Sequence, residues 1–351
     1  MPATSDGPGG RAPRVTLAQV AAHAGVSTGA VSQVLNNHPS SRISPEVRAR
    51  IAAAVTELGY RPNLVARSLR TARTDTYGFV SDSVTITRYA SGILRGALDA
   101  ARAGGYFLLI AETAGDARQE QEAVESLLDR GVDGIVFAAM KSRGSLPHTV
   151  PPSLRTINVN VAAAPGTASV LPDEFEGGRT AIRALAAAGH AEIALVGSDL
   201  RVEFDSGLSY TAHRRLAGIA AAMAELGLEF VDQVACDDWE PEVGHAAVRD
   251  LLGRVRPTAL LCLNDRLAVG GYHALADAGL AVPDDVSVVS FDDDEIAASL
   301  RPGLTTVAIP HEAMGRLAIE LLSSADAHAT GDILVPMSLH ERASVAPPRT
   351  S

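Results

Sequence analysis

VTLAQVAAHAGVSTGAVSQVLN (residues 15–36) and SPEVRARIAAAVTELGYRPNLVARSLR (residues 44–70) are the stretches whose reading decides the fold. Thr16 is placed to cap a first helix, and Gln19 three residues on closes a capping box. Leu17, Val20, Ala21 and Ala24 then fall at i, i+3, i+4 and i+7, one apolar stripe of a helix. Gly25 breaks that helix, Ser27 caps the next, and Val31, Val34 and Leu35 give the second helix its apolar side. Two short helices joined by the turn Ala24, Gly25, Val26 have the spacing of a helix-turn-helix, whose second helix enters the major groove of DNA. A third helix opens at Ser44, Pro45 and Glu46, carries Val47, Ile51, Val55 and Leu58 along one side, and stops at Gly59. The three apolar faces suffice to close a small core.

In a helix-turn-helix the first residues of the second helix meet base edges, which makes Ser27, Thr28, Gly29, Ser32 and Gln33 the candidates. The Ser27 hydroxyl serves equally well as a cap. Gly29 has no side chain, so it either leaves a base unread or admits the backbone more closely. Thr16, Asn36 and Asn63 are better placed to donate to phosphates, which position a headpiece without reading sequence. Arg61, Arg67, Arg70 and Arg73 add salt-sensitive attraction. Between headpiece and body, NLVARSLR (residues 63–70) is too short to be a stable isolated helix and is expected to fold only when clamped.

The charge distribution agrees. Residues 1–75 hold nine Arg against four acids, a net of +5, while the remainder holds 21 basic against 37 acidic residues, a net of −16. A basic head on an acidic body draws nucleic acid to one end only. Residues 1–14 are rich in Gly, Pro and small residues and are expected to be a disordered tail. With 351 residues and 46% hydrophobic content, two or three domains are within reach. Cys236 and Cys262 lack CxxC spacing, so neither a disulfide framework nor a zinc site is indicated. No apolar run approaches a membrane span and the N-terminus has no apolar signal region, so the chain is expected in the cytoplasm.

After Thr71 short apolar runs alternate with helical stretches, the pattern of parallel sheets covered by helices on both faces. Strands near 78–80, 106–111, 134–138 and 156–161 are read as a first sheet. A second set is read near 169–171, 193–197, 233–236, 259–263 and 286–291, with helices starting near Glu174, Thr211, Pro241 and Asp265. Two doubly wound subdomains side by side turn the carboxyl ends of their strands toward a shared cleft, where small ligands bind in such sheets.

From Val15 to Pro348 the chain resembles the lactose-repressor (LacI/GalR) family of bacterial transcription regulators. The resemblance implies a small all-α helix-turn-helix headpiece and an α/β body like a periplasmic sugar-binding protein, built of two doubly wound parallel-sheet subdomains. It implies a headpiece at 15–62, a hinge helix and linker at 63–75, and an effector-binding and dimerisation body at 76–351. The N-subdomain is expected at about 76–160 and 293–323 and the C-subdomain at about 161–292 and 324–346, with crossings near Asn160, Asp292 and Ser323. In that family Thr28, Gly29 and Gln33 stand where operator choice is made. Many relatives carry Arg at the place of Gln33, and Gln shifts the preference from guanine toward adenine. Leu69 stands where a hinge leucine wedges into the minor groove, next to Ala66, which lets two hinge helices approach. A hinge pair needs two subunits on a near-palindrome, hence a homodimer on double-stranded operator DNA.

For the effector, YTAHRRLAG resembles the family's RLAG motif and assigns Arg215, whose planar fork suits hydroxyl or carboxylate groups. CDDWEPEVG puts Trp239, the chain's one Trp, where relatives set an aromatic ring against the ligand. LNDRLAVG presents Asn264 and Asp265 at a strand end and VVSFDDDE presents Asp292 at the next. Tyr89, Asn160 and Thr211 complete the lining by motif alignment, with Arg88 beside them. Each has a plainer alternative: Asp265 as a helix cap, Arg215 paired with a neighbouring acid, Trp239 in the core. Asn264, Asp292 and Arg215 together favour a sugar over a purine.

Two rival readings fail on context. GVSTG at 25–29 matches G-x-S-x-G, but a nucleophile elbow follows a strand of a large sheet and this Ser follows a short helix. HExxH, a Walker loop and a dinucleotide GxGxxG are absent, and the ten His lack ligand spacing, so no enzyme, cofactor or metal is expected. A small-molecule-binding protein of periplasmic type without a DNA role would suit the body alone, and the headpiece argues against it.

Overall fold

The computed structural model describes residues 15–35, 43–61, 73–83, 87–143, 150–198, 209–324 and 329–349, with the backbone alone at 88–90 and 140–143. The chain divides into two compact units, Met1–Thr74 and Asp75–Ser351.

The first unit holds α1 (Leu17–Ala24), α2 (Thr28–Leu35) and α3 (Pro45–Glu57). Thr16 and Gln19 form the reciprocal capping box: Gln19 N donates to Thr16 Oγ1 at 3.3 Å and Thr16 N donates to Gln19 Oε1 at 2.8 Å. Gly25 closes α1 at φ +63°. Ser44 caps α3, accepting from Val47 N at 3.4 Å, and Gly59 turns the chain out at φ +60°. Val20, Ala21, Ala24, Val31, Ile51 and Ala54 are buried together, flanked by Leu17, Val34, Leu35, Val47, Val55 and Leu58. This is the small core that the apolar stripes predict.

The second unit is built on two six-stranded sheets. The first has the order β11-β5-β4-β3-β1-β2, all parallel, from β1 (Thr76–Ser81), β2 (Phe107–Glu112), β3 (Gly134–Arg143), β4 (Arg155–Val161), β5 (Ala168–Pro172) and β11 (Gly331–Val335). The second has the order β12-β10-β9-β8-β6-β7, from β6 (Ile193–Ser198), β7 (Phe230–Ala235), β8 (Ala259–Cys262), β9 (Ser287–Asp292), β10 (Thr305–Ala308) and β12 (Ser338–His340). Only β12 there runs antiparallel. Helices α4 (Arg88–Gly104), α5 (Ala117–Asp129) and α11 (His311–Ser323) pack on the first sheet. Helices α6 (Glu174–Ala187), α7 (Tyr210–Leu226), α8 (Pro241–Leu252) and α9 (Asp265–Asp277) pack with the second, and a one-turn helix α10 (Glu295–Ser299) links β9 to β10. Each subdomain has its own core, one around Phe79, Val136, Val159 and Val170, the other around Ile182, Leu195, Leu261 and Phe291.

The crossings differ from the expected ones near Asn160, Asp292 and Ser323. The chain passes between the sheets at 172–174, 308–311 and 335–338, so β5 belongs to the first subdomain, β10 to the second and β11 to the first again. The limits 76–160 with 293–323 and 161–292 with 324–346 are corrected accordingly. The physical reason is connection length. Parallel neighbours ordinarily need a crossover of a dozen or more residues, yet β5 joins β4 in parallel after only residues 162–167. Such a strand reads, from local pattern, as the start of the next sheet.

Close helix packing positions the cleft. Gly178 on α6 and Gly218 on α7 face one another's backbone: a Cβ on Gly218 would stand 1.9 Å from the Phe175 carbonyl oxygen, and one on Gly178 would stand 2.4 Å from that of Arg215. Gly96 with Gly315, and Gly244 with Gly270, do the same for α4 with α11 and α8 with α9. Gly218→Ala is therefore expected to lower stability by about 1–3 kcal/mol through overpacking. Gly271→Ala, whose Cβ would meet nothing nearer than 3.5 Å, is expected to leave stability unchanged or improve it by up to about 1 kcal/mol. Thermal unfolding of the two variants checks the contrast.

Candidate functional site

On the first unit, Val31 anchors α2 in the small core, and Thr28, Gly29 and Gln33 are exposed. A Cβ at Gly29 would meet only Ser27 Oγ, at 3.8 Å, so that position is open. Ser27 Oγ accepts from Ala30 N at 3.2 Å and is thus a cap, while Ser32 is half-buried. Thr16 is exposed and already engaged in its capping box. Asn36, Asn63, Ala66, Arg67, Leu69 and Arg70 lie outside the described residues.

On the second unit, the carboxyl ends of β8 and β9 gather a buried charged cluster around Arg215, on the first turns of α7. The α6–α7 glycine contact brings Glu174, the first residue of α6, against it. Arg215 Nε donates to Glu174 Oε2 at 2.7 Å and Nη2 to Oε1 at 2.8 Å. Nη1 donates to the Leu263 carbonyl, Nη2 lies 3.7 Å from Asp292 Oδ1, and the guanidinium stacks 4.3 Å from the centre of the Phe291 ring. Asp265 is fully buried, accepting from the Ser290 hydroxyl and, at 2.7 Å, from Asp294 N. Burial pushes the Asp265 carboxyl up to about 6 despite those hydrogen bonds. Burial pushes Asp292 further, to about 8; Arg215 opposes that shift, and the nearby Asp265, Glu174 and Asp294 carboxylates add to it. The shift favours the protonated form of Asp292, in which the carboxyl donates as well as accepts.

The remaining expected residues are placed as follows. Asn264 caps α9, its Oδ1 accepting from Leu267 N at 2.8 Å and its Nδ2 donating to the Trp239 carbonyl at 3.2 Å. Asp265 is thus the first helical residue and not the cap. Trp239 is half-buried against the core of the second sheet, and Thr211 is buried in the first turn of α7. Asn160, at φ +59° near the end of β4, donates from Nδ2 to the Ala139 carbonyl at 2.9 Å. Tyr89 and Arg88 stand in the first turn of α4, their side chains outside the described residues.

A cavity of about 630 Å³ is bounded by Ser91, Gly92 and Arg95 of α4, by Asp292–Glu295, and by His311, Pro336 and His340 at the later crossings. Of the seven expected effector residues Asp292 borders it, and Arg215 reaches it through Asp292. Asp292 and Asp293 hold φ of +104° and +58°. Non-glycine residues take such backbone only where the surroundings impose it, commonly at functional sites. A bond between the subdomains joins Tyr210 of α7 to Asp332 of β11: the phenol donates to Oδ2 at 2.6 Å, and Oδ1 accepts from Ala163 N at 3.1 Å. Sequence reasoning missed Glu174 and Asp332. Glu174 reads as an ordinary acid in the first turn of a helix, and its partner is 41 residues away.

The raised Asp292 pKa gives a signed prediction. The folded state binds a proton that the unfolded chain releases near pH 4, so this group's contribution falls as pH rises from about 4 to about 8. Asp292→Asn removes that dependence. Its melting temperature relative to the parent protein is expected to rise by several degrees between pH 4.5 and pH 8.5 without ligand. A pH-independent difference would refute the assignment.

Comparison with known proteins bears on both units. Residues 16–63 match the model for bacterial regulatory proteins of the lacI family, and residues 182–345 match that for the periplasmic binding protein-like domain. The chain is 34% identical over 312 residues to the ribose operon repressor of Escherichia coli K12, covering 88% of this chain and 92% of that one. It is 31% identical over 341 residues to the transcriptional repressor PurR of Erwinia tasmaniensis, covering 94% and 97%. The solved lac repressor dimer bound to operator and the anti-inducer ONPF superposes with a TM-score of 0.76 at 27% identity, covering 95% of this chain and all of that one. With a capped helix-turn-helix at one end and paired parallel sheets making up the rest, the chain belongs to the LacI family of bacterial regulatory proteins.

Proposed function

We propose that this chain is a cytoplasmic, homodimeric transcriptional repressor that binds a near-palindromic operator and is controlled by a small-molecule effector, a sugar, in the cleft of its body. It is a binding protein and not an enzyme. The observation that carries the reading is the conjunction of two sites in one chain. α2 offers Thr28, Gly29 and Gln33 free of the core, and the strand ends of the body hold a buried polar cluster beside a cavity. Thr28 and Gln33 read base edges, with Gln33 favouring adenine. The segment 63–75, with Asn63, Ala66, Leu69 and Arg70, supplies the hinge contacts, and Thr16 and Asn36 the phosphate contacts. Asn160, Thr211, Arg215, Trp239, Asn264 and Asp292, with Tyr89, hold the effector.

Effector binding biases the two subdomains between arrangements, and the fit of paired headpieces to two half-sites follows as a population shift. A coupling of about 1–3 kcal/mol changes operator affinity by roughly 5- to 150-fold. The ribose repressor among the relatives supports a sugar, and Asp292 with Asn264 supplies hydroxyl-binding groups.

Selection of bound duplexes from a random DNA pool by the full chain at moderate salt tests this. The expected product is a near-palindrome with a flexible central step and adenine enriched at the base facing Gln33. Absence of any enriched motif, with and without added metabolite pools, would overturn the operator-binding reading.

A further inference from the structure

An arginine offered to a ligand needs N–H donors that protein acceptors have not taken. Arg215 has its Nε and Nη2 on Glu174 and its Nη1 on the Leu263 carbonyl, and Nη2 also lies 3.7 Å from Asp292 Oδ1, the carboxyl that borders the cavity. The Glu174 carboxylate sits two-toothed on the guanidinium, the geometry that a ligand carboxylate or phosphate takes on such a fork. Arg215 is 4% exposed and Glu174 2%, so water screens neither. The charges around the pair are unbalanced: Glu174 and Asp265 stand against one guanidinium, and Asp292 beside them is pushed toward its protonated form. The cavity wall adds Asp293, Asp294, Glu295 and Glu312 against Arg95, with Arg342 and His340 bound to Asp293.

On the reading of this cleft as the effector site, we infer that Glu174 sets the charge class of the effector. The protein's own carboxylate fills the anion seat on Arg215, so the site accepts an uncharged polyhydroxyl ligand and turns away sugar acids and sugar phosphates. A hydroxyl group needs only one acceptor and one donor, and the Asp292 carboxyl in its protonated form offers both without displacing Glu174. An anionic group would have to displace Glu174 or stand close to the Glu174 and Asp265 carboxylates, and among the described residues of the cavity wall the one arginine, Arg95, is already paired with Glu312 at 3.0 Å. Glu174 is thus a specificity-determining residue acting through Arg215.

Two measurements on the full chain test this. The first is the melting temperature of the parent protein, Glu174→Ala and the double variant Glu174→Ala/Arg215→Met, titrated with sodium acetate against sodium chloride at equal ionic strength. Acetate is expected to restore Glu174→Ala saturably and to leave the other two unmoved beyond chloride. An unresponsive Glu174→Ala would overturn the inference, marking the pair as a sealed core contact. The second uses Trp239 fluorescence with D-ribose, D-ribonate and D-ribose 5-phosphate, extended to the matching glucose series. The parent protein is expected to bind a neutral sugar at least 100-fold more tightly than its anionic counterparts. Glu174→Gln, which keeps the shape should the Ala variant fail to fold, is expected to narrow that gap at least tenfold. Binding of an anionic sugar to the parent protein as tightly as its neutral form would overturn the inference. Failure of every sugar counts against the sugar reading itself, and the acetate titration then decides the role of Glu174 alone.

Discussion

A guanidinium taken out of water must be neutralised and hydrogen-bonded where it lies, and the carboxyl end of the second sheet is arranged around meeting that demand for Arg215. Glu174 supplies the opposite charge in two-toothed geometry, Leu263 a carbonyl from the end of β8, Asp292 a second carboxyl from the end of β9, and Phe291 an aromatic face. Two helices and two strands thereby meet at one side chain. Their approach in turn requires Gly178 and Gly218, because a methyl group at either would collide with the facing backbone. Backbone packing, ion pairing and strand-end geometry are thus one arrangement.

The same arrangement explains why the strand ends tolerate unfavourable backbone. Asn160, Asp292 and Asp293 all take positive φ beside the cleft. For Asn160 a side-chain hydrogen bond to Ala139 helps hold it, and for Asp293 the hydrogen bonds to His340 and Arg342 do so. Such positions keep their side chains aimed, at a cost that the surrounding sheet stability offsets. The subdomains are joined further along by Tyr210 and Asp332. Exposed and hydrogen-bonded at its end, that link is of the kind a change in subdomain arrangement breaks and remakes.

The headpiece was legible residue by residue because its signals are local. A Thr and a Gln three apart, a Gly after the first and third helices, a Ser before the second and a Ser before a Pro are enough to place three helices. Strands β1 to β9 of the body were legible too, as apolar runs between turns, whereas the short β10 and β12 and the edge strand β11 were not. Sheet membership was not, since β5 joins β4 across six residues and β10 joins β9 across a single-turn helix, and nothing local records which long-range neighbour a strand takes. The site divides the same way. Asn264 and Arg215 stood out at a strand end and a helix start, while the partner that occupies Arg215 is an unremarkable first-turn acid from another helix. Its meaning comes only from the glycine contact that brings the helices together.

In the proposed function, occupancy of the cleft in the body governs the grip of the head on DNA. The most direct measurement follows both in one sample: operator affinity of the full chain, by anisotropy of a labelled duplex, and Trp239 fluorescence, during titration with a neutral sugar that binds. Both are expected to change with the same midpoint, and operator affinity to move by roughly 5- to 150-fold in either direction. Saturation of the Trp239 signal with no change in operator affinity would contradict that coupling.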